Sequence, residues 1–196
     1  MKSRNYAGIS LLASLAACNS ATAETVQKNS TQAPQKPNVI VILADDLGYG
    51  DLKCYGAKNV ETPHVDKLAS EGIRFTNAHT VAATSTPSRY SLLTGEYAWR
   101  RPDTDIAAGD VKMIIRPEQY TMADMFKSAG YATAAIGKWH LGSWKEYAPN
   151  SRGFDYFWGF LGGCIDSYSH FYYWGGPNRH DLWRNGEEIH EEGKFF

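Results

Sequence analysis

The chain has 196 residues, 43% of them hydrophobic, and its 20 basic residues nearly balance 21 acidic ones, leaving a net charge of −1. A chain of this size and composition can bury one substantial core, so a single domain is expected. The balanced charge gives no support to a nucleic-acid partner, and no apolar run reaches the roughly 18 residues that a membrane-spanning helix needs.

The N-terminus has the pattern of a secretory signal. Two basic residues precede a short apolar stretch, and the small residues before Cys18 resemble a bacterial lipobox, in which the cysteine is lipidated. A plain signal peptide cleaved nearby is the alternative. We predict a lipoprotein-type signal peptide over residues 1–17, a flexible tether over 18–37 and a folded portion over 38–196. The expected location is the periplasm or outer membrane, with membrane contact only through the lipid anchor.

Strand and helix patterns alternate after the tether. Residues 39–44 are rich in β-branched residues and predict a strand buried on both faces. Pro63–Glu71 is predicted as a helix with Thr62 as its N-cap, and residues 73–80 as a second strand. Further along, Thr121 and Asp124 mark a helix start that ends near Gly130, and residues 131–137 form a third predicted strand. This alternation predicts an α/β fold with a parallel sheet.

Two adjacent carboxylates follow the first predicted strand. Asp45 and Asp46 would repel each other unless a cation lies between them or the chain turns to part them. They are either solvated turn acids or oxygen ligands of calcium or magnesium. Sites in open α/β sheets gather at the carboxyl ends of strands, so a nucleophile nearby favours the metal interpretation.

The stretch "ATSTPSRYSLLTG" places Ser85 at the start of a predicted helix. Ser85 is either an ordinary N-cap or an exposed nucleophile. Arg89 follows four positions later and returns to the same helical face. Thr86 precedes Pro87 and is expected to be extended, so that the positive end of the helix faces Ser85 and favours an anion there.

The stretch "GKWHLG" follows the third predicted strand. Lys138 and His140 are two positions apart and face the same side if the backbone stays extended. Either residue alone would more often be a surface or packing residue. Three strand ends bearing acids, a serine with an arginine, and a lysine with a histidine together predict an anion site with a metal.

These segments resemble a known family. "ILADDLGYGD", "STPSRYSLLTG" and "GKWHLG" occur in the order found in type I sulfatases of the alkaline phosphatase superfamily, and the second is similar to their maturation signature, Cys or Ser-x-Pro-x-Arg followed by Leu-Thr-Gly. The resemblance covers residues 37–196. It implies an α/β, alkaline-phosphatase-like three-layer sandwich with a mostly parallel central sheet, of which residues 38–196 form the N-terminal portion of the catalytic domain, incomplete at its C-terminal end.

The resemblance also implies roles for individual residues. Ser85 would be oxidised to formylglycine by a serine-type radical maturase and would attack a sulfate ester with Ca2+ as cofactor. Arg89 would steady the formylglycine, Lys138 would bind the sulfate oxygens, and His140 would hydrogen-bond the formylglycine hydroxyl. The implied metal ligands are Asp45, Asp46 and Ser85.

The substrate is indicated less sharply. Residues 154–174 are crowded with aromatic side chains, which are either packing residues or faces for sugar rings. His170 and Asp166 interrupt this apolar run and are candidates for substrate contact. "GGCIDSYSHF" resembles the corresponding region of arylsulfatase-B-like members, which act on sulfated sugars. We expect a sulfated sugar or aryl sulfate as substrate.

Several alternatives stay open. In the family, a later part of the chain supplies further calcium ligands, a second histidine and a second lysine, and we expect this chain to lack them. A phosphatase or phosphonate-ester hydrolase of the same superfamily would use a similar site. An inactive truncated lipoprotein serving as a binding module is the other rival. Cys54 and Cys164 are too far apart for a zinc motif, and pairing between them is left open.

Overall fold

A computed structural model describes residues 36–108, 111–174 and 178–196. The chain divides into two units, residues 1–43 and 44–196. In the first unit, residues 36–43 have no regular secondary structure and their side chains are exposed. The second unit contains α1 Pro63–Glu71, α2 Ser85–Thr94, α3 Met122–Ser128, β1 Ala134–Lys138, β2 Tyr156–Phe160, β3 Trp183–Arg184 and β4 Glu187–Glu188, with short 3-10 turns between them.

The sheet is mixed and has the strand order β1-β2-β3-β4. β1 and β2 are parallel, with Ala134 opposite Tyr156 and Lys138 opposite Phe160. β2 pairs with β3, and β3 with β4, in antiparallel fashion. The α/β class agrees with the prediction, whereas the parallel character is confined to one pair of the described strands. Residues Asn185 and Gly186 join β3 to β4 and both have positive φ, 48° and 81°, as a tight type I′ hairpin turn requires.

The helices form where the capping signals predict them. α1 has the predicted bounds, with Thr62 at the N-cap, although the Thr62 hydroxyl makes no capping bond. α3 begins after Thr121, whose hydroxyl accepts from the Asp124 amide in a capping box. This reciprocal bonding satisfies two of the otherwise unpaired amides at the helix start.

Two predicted strands are not formed. Residues 39–44 and 73–80 lack strand structure, and Ile40 and Ile73 are each 83% exposed. A β-branched apolar run becomes a strand only when neighbouring backbone pairs with it, and no such ladder to either run exists within residues 36–108, 111–174 and 178–196. The third predicted strand is confirmed as β1, displaced by a few residues toward the C-terminus.

The hydrophobic core lies between α2 and the C-terminal ends of β1 and β2. Its buried residues are Tyr90, Leu93, Ala98, Ile114, Ile115, Trp139, Leu141, Ala148, Phe157 and Leu161. Backbone bonds from Trp139 to the Phe160 carbonyl (2.9 Å) and from His140 to the Leu161 carbonyl (3.1 Å) extend the β1–β2 pairing beyond the strands. This packing sets the first turn of α2 against the segment that follows β1.

The remaining sequence predictions have the following outcomes here. Cys54 and Cys164 are both unpaired. Within the part of the chain that the structure describes, no helix has the length and apolarity to cross a membrane. Cys18, the signal peptide over 1–17 and nearly all of the tether over 18–37 lie outside the described residues.

Candidate active site

A cavity of about 870 Å³ opens beside the first turn of α2. Its walls come from the Asp45 segment, the start of α2, a loop around Ala107, the end of β1 and the chain after β2. The polar and charged side chains in the wall are Asp45, Asp46, Thr84, Ser85, Lys138, His140, Ser167, Tyr172 and Tyr173. Five of the residues singled out in the sequence therefore line this cavity: Asp45, Asp46, Ser85, Lys138 and His140. A sixth, Arg89, joins them through its hydrogen bond to Ser85.

Ser85 is the first residue of α2, and Thr84 is the N-cap in extended conformation. The interpretation of Ser85 as the N-cap is therefore wrong. Thr86 is also helical rather than extended, because the helix already begins at Ser85 and Thr84 makes the extended approach to it. Arg89 donates from Nε to Ser85 Oγ at 2.9 Å, as its spacing of four residues predicts.

His140 contacts the same hydroxyl. Its Nδ1 lies 3.0 Å from Ser85 Oγ, and its Nε2 lies 3.1 Å from the Ala107 carbonyl oxygen. A carbonyl only accepts, so Nε2 carries the hydrogen and Nδ1 of the neutral ring accepts from the serine hydroxyl. Burial is the largest effect and lowers the pKa of His140. The hydrogen bond to Ala107 raises this pKa, the charges of Lys138 and Arg89 lower it, Asp45 raises it least, and the net shift is downward. The neutral ring is therefore the favoured form.

Lys138 and Arg89 place two positive charges against Asp45. Lys138 Nζ lies 2.8 Å from Asp45 Oδ2, and an Arg89 guanidinium nitrogen lies 3.7 Å from the same oxygen. Partial burial raises the pKa of Asp45, but the hydrogen bond and charge of Lys138, with the charge of Arg89, outweigh it and leave the pKa below its ordinary 3.8. Asp45 is thus a stable anion, and Arg89 is held further by its bond to the Lys138 carbonyl at 2.6 Å.

Two residues of the site have left-handed backbone. Asp46 has φ 56° and His140 has φ 57°. Such conformations cost about 1–3 kcal/mol in non-glycine residues and persist where the surrounding structure imposes them. Asp46 thus turns the chain directly after Asp45, and both residues line the same cavity. The turn at His140 means that Lys138 and His140 do not reach the site through the extended backbone that the sequence suggested.

The carboxylates of Asp45 and Asp46 and the hydroxyl of Ser85 offer oxygen donors at one cavity, which fits calcium in kind. Their number is below the six to eight oxygens that calcium takes. Asp45 also has Lys138 at hydrogen-bond distance, so a cation there would share this carboxylate with the lysine.

The loop around Ala107 was missed from the sequence. Thr86, fully buried, accepts from the Ala107 amide at 3.0 Å and bonds the His140 carbonyl at 3.4 Å, so one threonine ties α2 to both segments. The Ala107 carbonyl in turn fixes the His140 tautomer. Backbone groups carry no residue-type signal, so only the tertiary structure reveals this contact.

His170 is not among the residues that line the cavity. It is 1% exposed, has a left-handed φ of 60°, and its Nε2 lies 3.1 Å from the Lys194 carbonyl. Packing beneath the C-terminal segment thus keeps its ring from a ligand in the cavity, which corrects the expectation of substrate contact. Asp166 accepts from the amides of Tyr168 and Ser169 and stabilises a turn instead.

The aromatic stretch divides between the two interpretations. Phe157 is buried in the core, whereas Tyr173 and Trp174, 64% and 73% exposed, stand at the cavity with Tyr172. The packing interpretation holds for Phe157 and Phe160 of β2, and the end of the stretch presents exposed rings at the cavity wall.

Comparison with known proteins identifies the family. The model of the family described as Sulfatase matches residues 37–188. The chain belongs to the sulfatase family. It is 52% identical over 155 residues to an N-acetylgalactosamine-6-O-sulfatase of Bacteroides thetaiotaomicron, covering 74% of this chain and 30% of that protein.

Solved structures agree with this sulfatase assignment. A structure from work on glycosaminoglycan metabolism by Bacteroides thetaiotaomicron is 44% identical, with a TM-score of 0.67 over 79% of this chain and 32% of that one. The structure of Ps i-CgsB in complex with k-i-k-neocarrahexaose is 33% identical, with a TM-score of 0.68 over 82% of this chain and 38% of that one. The alkaline-phosphatase-like fold class is thereby confirmed. The chain spans less than a third of the curated relative's length.

Proposed function

We propose that this chain is part of a sulfatase that hydrolyses sulfate esters, using formylglycine made from Ser85 as the nucleophile and Ca2+ as the cofactor. The observation that carries the proposal is the pair of contacts on Ser85 Oγ, 2.9 Å from Arg89 Nε and 3.0 Å from His140 Nδ1, at the wall of a cavity that also holds two carboxylates and Lys138. A hydroxyl with a neutral base on one side and a cation on the other is placed for nucleophilic attack.

Formylglycine explains why sulfate can leave. Hydration of the aldehyde puts two hydroxyls on the Cβ of residue 85. One oxygen attacks the sulfur, the bond from sulfur to the ester oxygen breaks, and the alcohol departs with a proton. The second hydroxyl then loses its proton, the aldehyde re-forms and sulfate is expelled. An unmodified serine sulfate has no such exit.

The residues around Ser85 suit these steps. His140 is neutral and its Nδ1 already accepts a hydrogen bond from the hydroxyl, so it can hold the proton of either hydroxyl. Arg89 and Lys138, with side chains only 13% and 14% exposed, supply positive charge for the sulfate oxygens in a partly dehydrated site. The first turn of α2 adds the positive end of its dipole.

Calcium, when bound, would withdraw electron density from the sulfate oxygens. Asp45, Asp46 and the oxygen of residue 85 are the residues of this chain that would hold it. Asp45 is suited because its pKa is kept low by Lys138 and Arg89 despite partial burial, so it stays ionised.

The substrate class that we propose is a sulfated carbohydrate. The named relative acts on an N-acetylgalactosamine 6-O-sulfate, and Ps i-CgsB binds a hexaose, which supports a sugar ligand. Tyr172, Tyr173 and Trp174 line one side of the cavity, and exposed aromatic faces stack on sugar rings.

Maturation is the direct test. The chain is expressed with and without a serine-type radical maturase, and the peptide containing Ser85 is examined by mass spectrometry. We expect residue 85 to lose two hydrogen atoms only when the maturase is present. The Ser85→Ala variant should show no such loss, and the control Ser70→Ala, on the exposed side of α1, should behave as the parent does. An unmodified Ser85 in a protein that hydrolyses phosphate esters would instead indicate the phosphatase alternative.

We also propose that Cys18 is lipidated and that the mature protein is a bacterial lipoprotein of the periplasm or outer membrane, held by this lipid anchor. The support is the lipobox-like pattern before Cys18. Cys18→Ala should move the protein from the membrane fraction to the soluble fraction after cell lysis, and an unchanged distribution would contradict the anchor.

A further inference from the structure

A second cluster of metal-ligating side chains lies at the β3–β4 hairpin. His180 precedes β3, Glu188 is in β4, and His190 follows β4. The hairpin turn brings the three together, and their ligand atoms all lie within 4.8 Å of one another. None of these residues lines the cavity at Ser85, so the cluster is independent of the proposed sulfatase function.

The buried member of the cluster has an unsatisfied ring nitrogen. The His180 side chain is 5% exposed, and its Nδ1 lies 3.0 Å from Glu188 Oε1. A carboxylate only accepts, so Nδ1 carries the hydrogen and the neutral ring leaves a lone pair on Nε2. Nε2 is buried and has no hydrogen-bond partner among the described residues. A buried polar atom in this state is costly unless a ligand satisfies it.

The groups facing that nitrogen are acceptors as well. Glu192 Oε1 lies 3.7 Å from His180 Nε2 and 2.9 Å from His190 Nδ1. The His190 ring stacks on that of His180 with centroids 4.5 Å apart. Of the positive side chains nearby in sequence, Arg184 and Lys194 are directed to Glu191, and Arg179 lies 4.0 Å from Asp181 Oδ2. Two imidazoles and two carboxylates therefore converge. Among them, the lone pair on His180 Nε2 faces the Oε1 atom of Glu192.

We propose that His180, Glu188, His190 and Glu192 form a binding site for a divalent transition metal of the zinc class. Mixed imidazole and carboxylate ligands suit zinc, whereas calcium takes six to eight oxygens. Tetrahedral zinc places its ligand atoms about 3.4 Å apart, given metal–ligand distances of about 2.1 Å. The separation of His180 Nε2 from Glu192 Oε1, 3.7 Å, is close to this value. Glu188 accepts the Nδ1 hydrogen of His180 and so orients that ring toward the metal, while the exposed His190 can rotate to present a ring nitrogen.

The bound metal would act as a clip across the hairpin. It joins residues on both sides of the Asn185–Gly186 turn. In this hairpin β3 and β4 pair through two residue pairs, Trp183 with Glu188 and Arg184 with Glu187. A metal that binds the folded hairpin and not the unfolded chain stabilises the fold in proportion to its concentration.

The test is a zinc titration by calorimetry on the purified, metal-free chain, with excess calcium present so that oxygen sites are filled. We expect one zinc per chain, and a weakening of about tenfold or more in both His190→Ala and Glu192→Gln. These positions are exposed, so the variants should fold. Glu187→Gln, an exposed glutamate on the same strand outside the cluster, is the matched control and should bind as the parent does. Cobalt should give the visible absorption of a tetrahedral site in the parent and lose it in His190→Ala.

The proposal is overturned if the parent binds no zinc, or if His190→Ala and Glu192→Gln bind it as tightly as the parent and the Glu187→Gln control. It is also overturned if NMR shows His180 as an imidazolium paired with both glutamates and unaffected by added zinc. Each result is independent of whether Ser85 is converted to formylglycine, so failure here leaves the sulfatase proposal standing.

Discussion

Gly163 controls the position of the His140 ring. A methyl group added at residue 163 would lie 2.7 Å from His140 Nε2 and 2.9 Å from Cε1, and the backbone at Gly163 is not in the left-handed region. Gly163→Ala therefore adds a steric conflict without a change in backbone strain. Because non-bonded carbon contacts are favourable at about 3.5 Å or more, the ring or the loop must move by roughly 0.8 Å.

The displacement weakens two hydrogen bonds, from Ser85 Oγ at 3.0 Å and to the Ala107 carbonyl at 3.1 Å. Overpacking costs about 1–3 kcal/mol, and a buried polar group left without its partner adds about 1 kcal/mol. We expect Gly163→Ala to lower the free energy of unfolding by about 2–4 kcal/mol. In the complete sulfatase proposed above, sulfate-ester turnover should fall about 100-fold, since a misplacement of about 1 Å has that effect on catalysis.

Urea denaturation measures the stability, and 15N NMR of the imidazole follows the hydrogen bonding of His140. Gly50→Ala is the matched control, because nothing lies within 4 Å of an added methyl at that exposed position and its φ is not positive. It should change the free energy of unfolding by less than about 1 kcal/mol. A Gly163→Ala protein as stable as the parent, with the His140 resonances unmoved, would refute the steric argument.

Three further outcomes are expected. Burial lowers the pKa of His140 below 6.5 in the folded chain, so the unfolded chain binds more protons at this residue. The free energy of unfolding should therefore decrease as the pH is lowered from about 7.5 to about 5.5, with a slope of up to about 1.4 kcal/mol per pH unit. Urea unfolding of the His140→Gln variant should lack this slope. Asp45→Asn and Asp46→Asn should each weaken calcium binding by calorimetry, and parental affinity in both would remove the ligand assignment. Asp181 is 1% exposed and accepts hydrogen bonds from the Leu161 and Gly162 amides and the Trp183 indole. Asp181→Ala should lower the free energy of unfolding, measured by chemical denaturation, by at least about 3 kcal/mol. A decrease below about 1 kcal/mol would show that water replaces the carboxylate.

Local signals in the sequence were sufficient for α1 and α3. Proline at the first helical position, the Thr121–Asp124 capping box and the glycines after the helices act within a few residues, so no distant contact is needed to interpret them. The spacing of Arg89 from Ser85 is equally local, because the helix repeat alone brings the guanidinium to the hydroxyl. Five residues that line the cavity, Asp45, Asp46, Ser85, Lys138 and His140, were found through their types and order in the motifs.

Tertiary structure decided what depends on distant backbone. Residues 39–44 have the composition of a buried strand, yet they are exposed and unpaired in the described structure, since composition cannot supply a neighbouring strand. The His140 tautomer depends on a carbonyl 33 residues away, at Ala107. His170 was taken for a substrate contact on its polarity alone, whereas packing buries it away from the cavity. Residue type and spacing thus determine which chemical groups are available, and the long-range packing of α2 against the segment after β1 determines which of them meet.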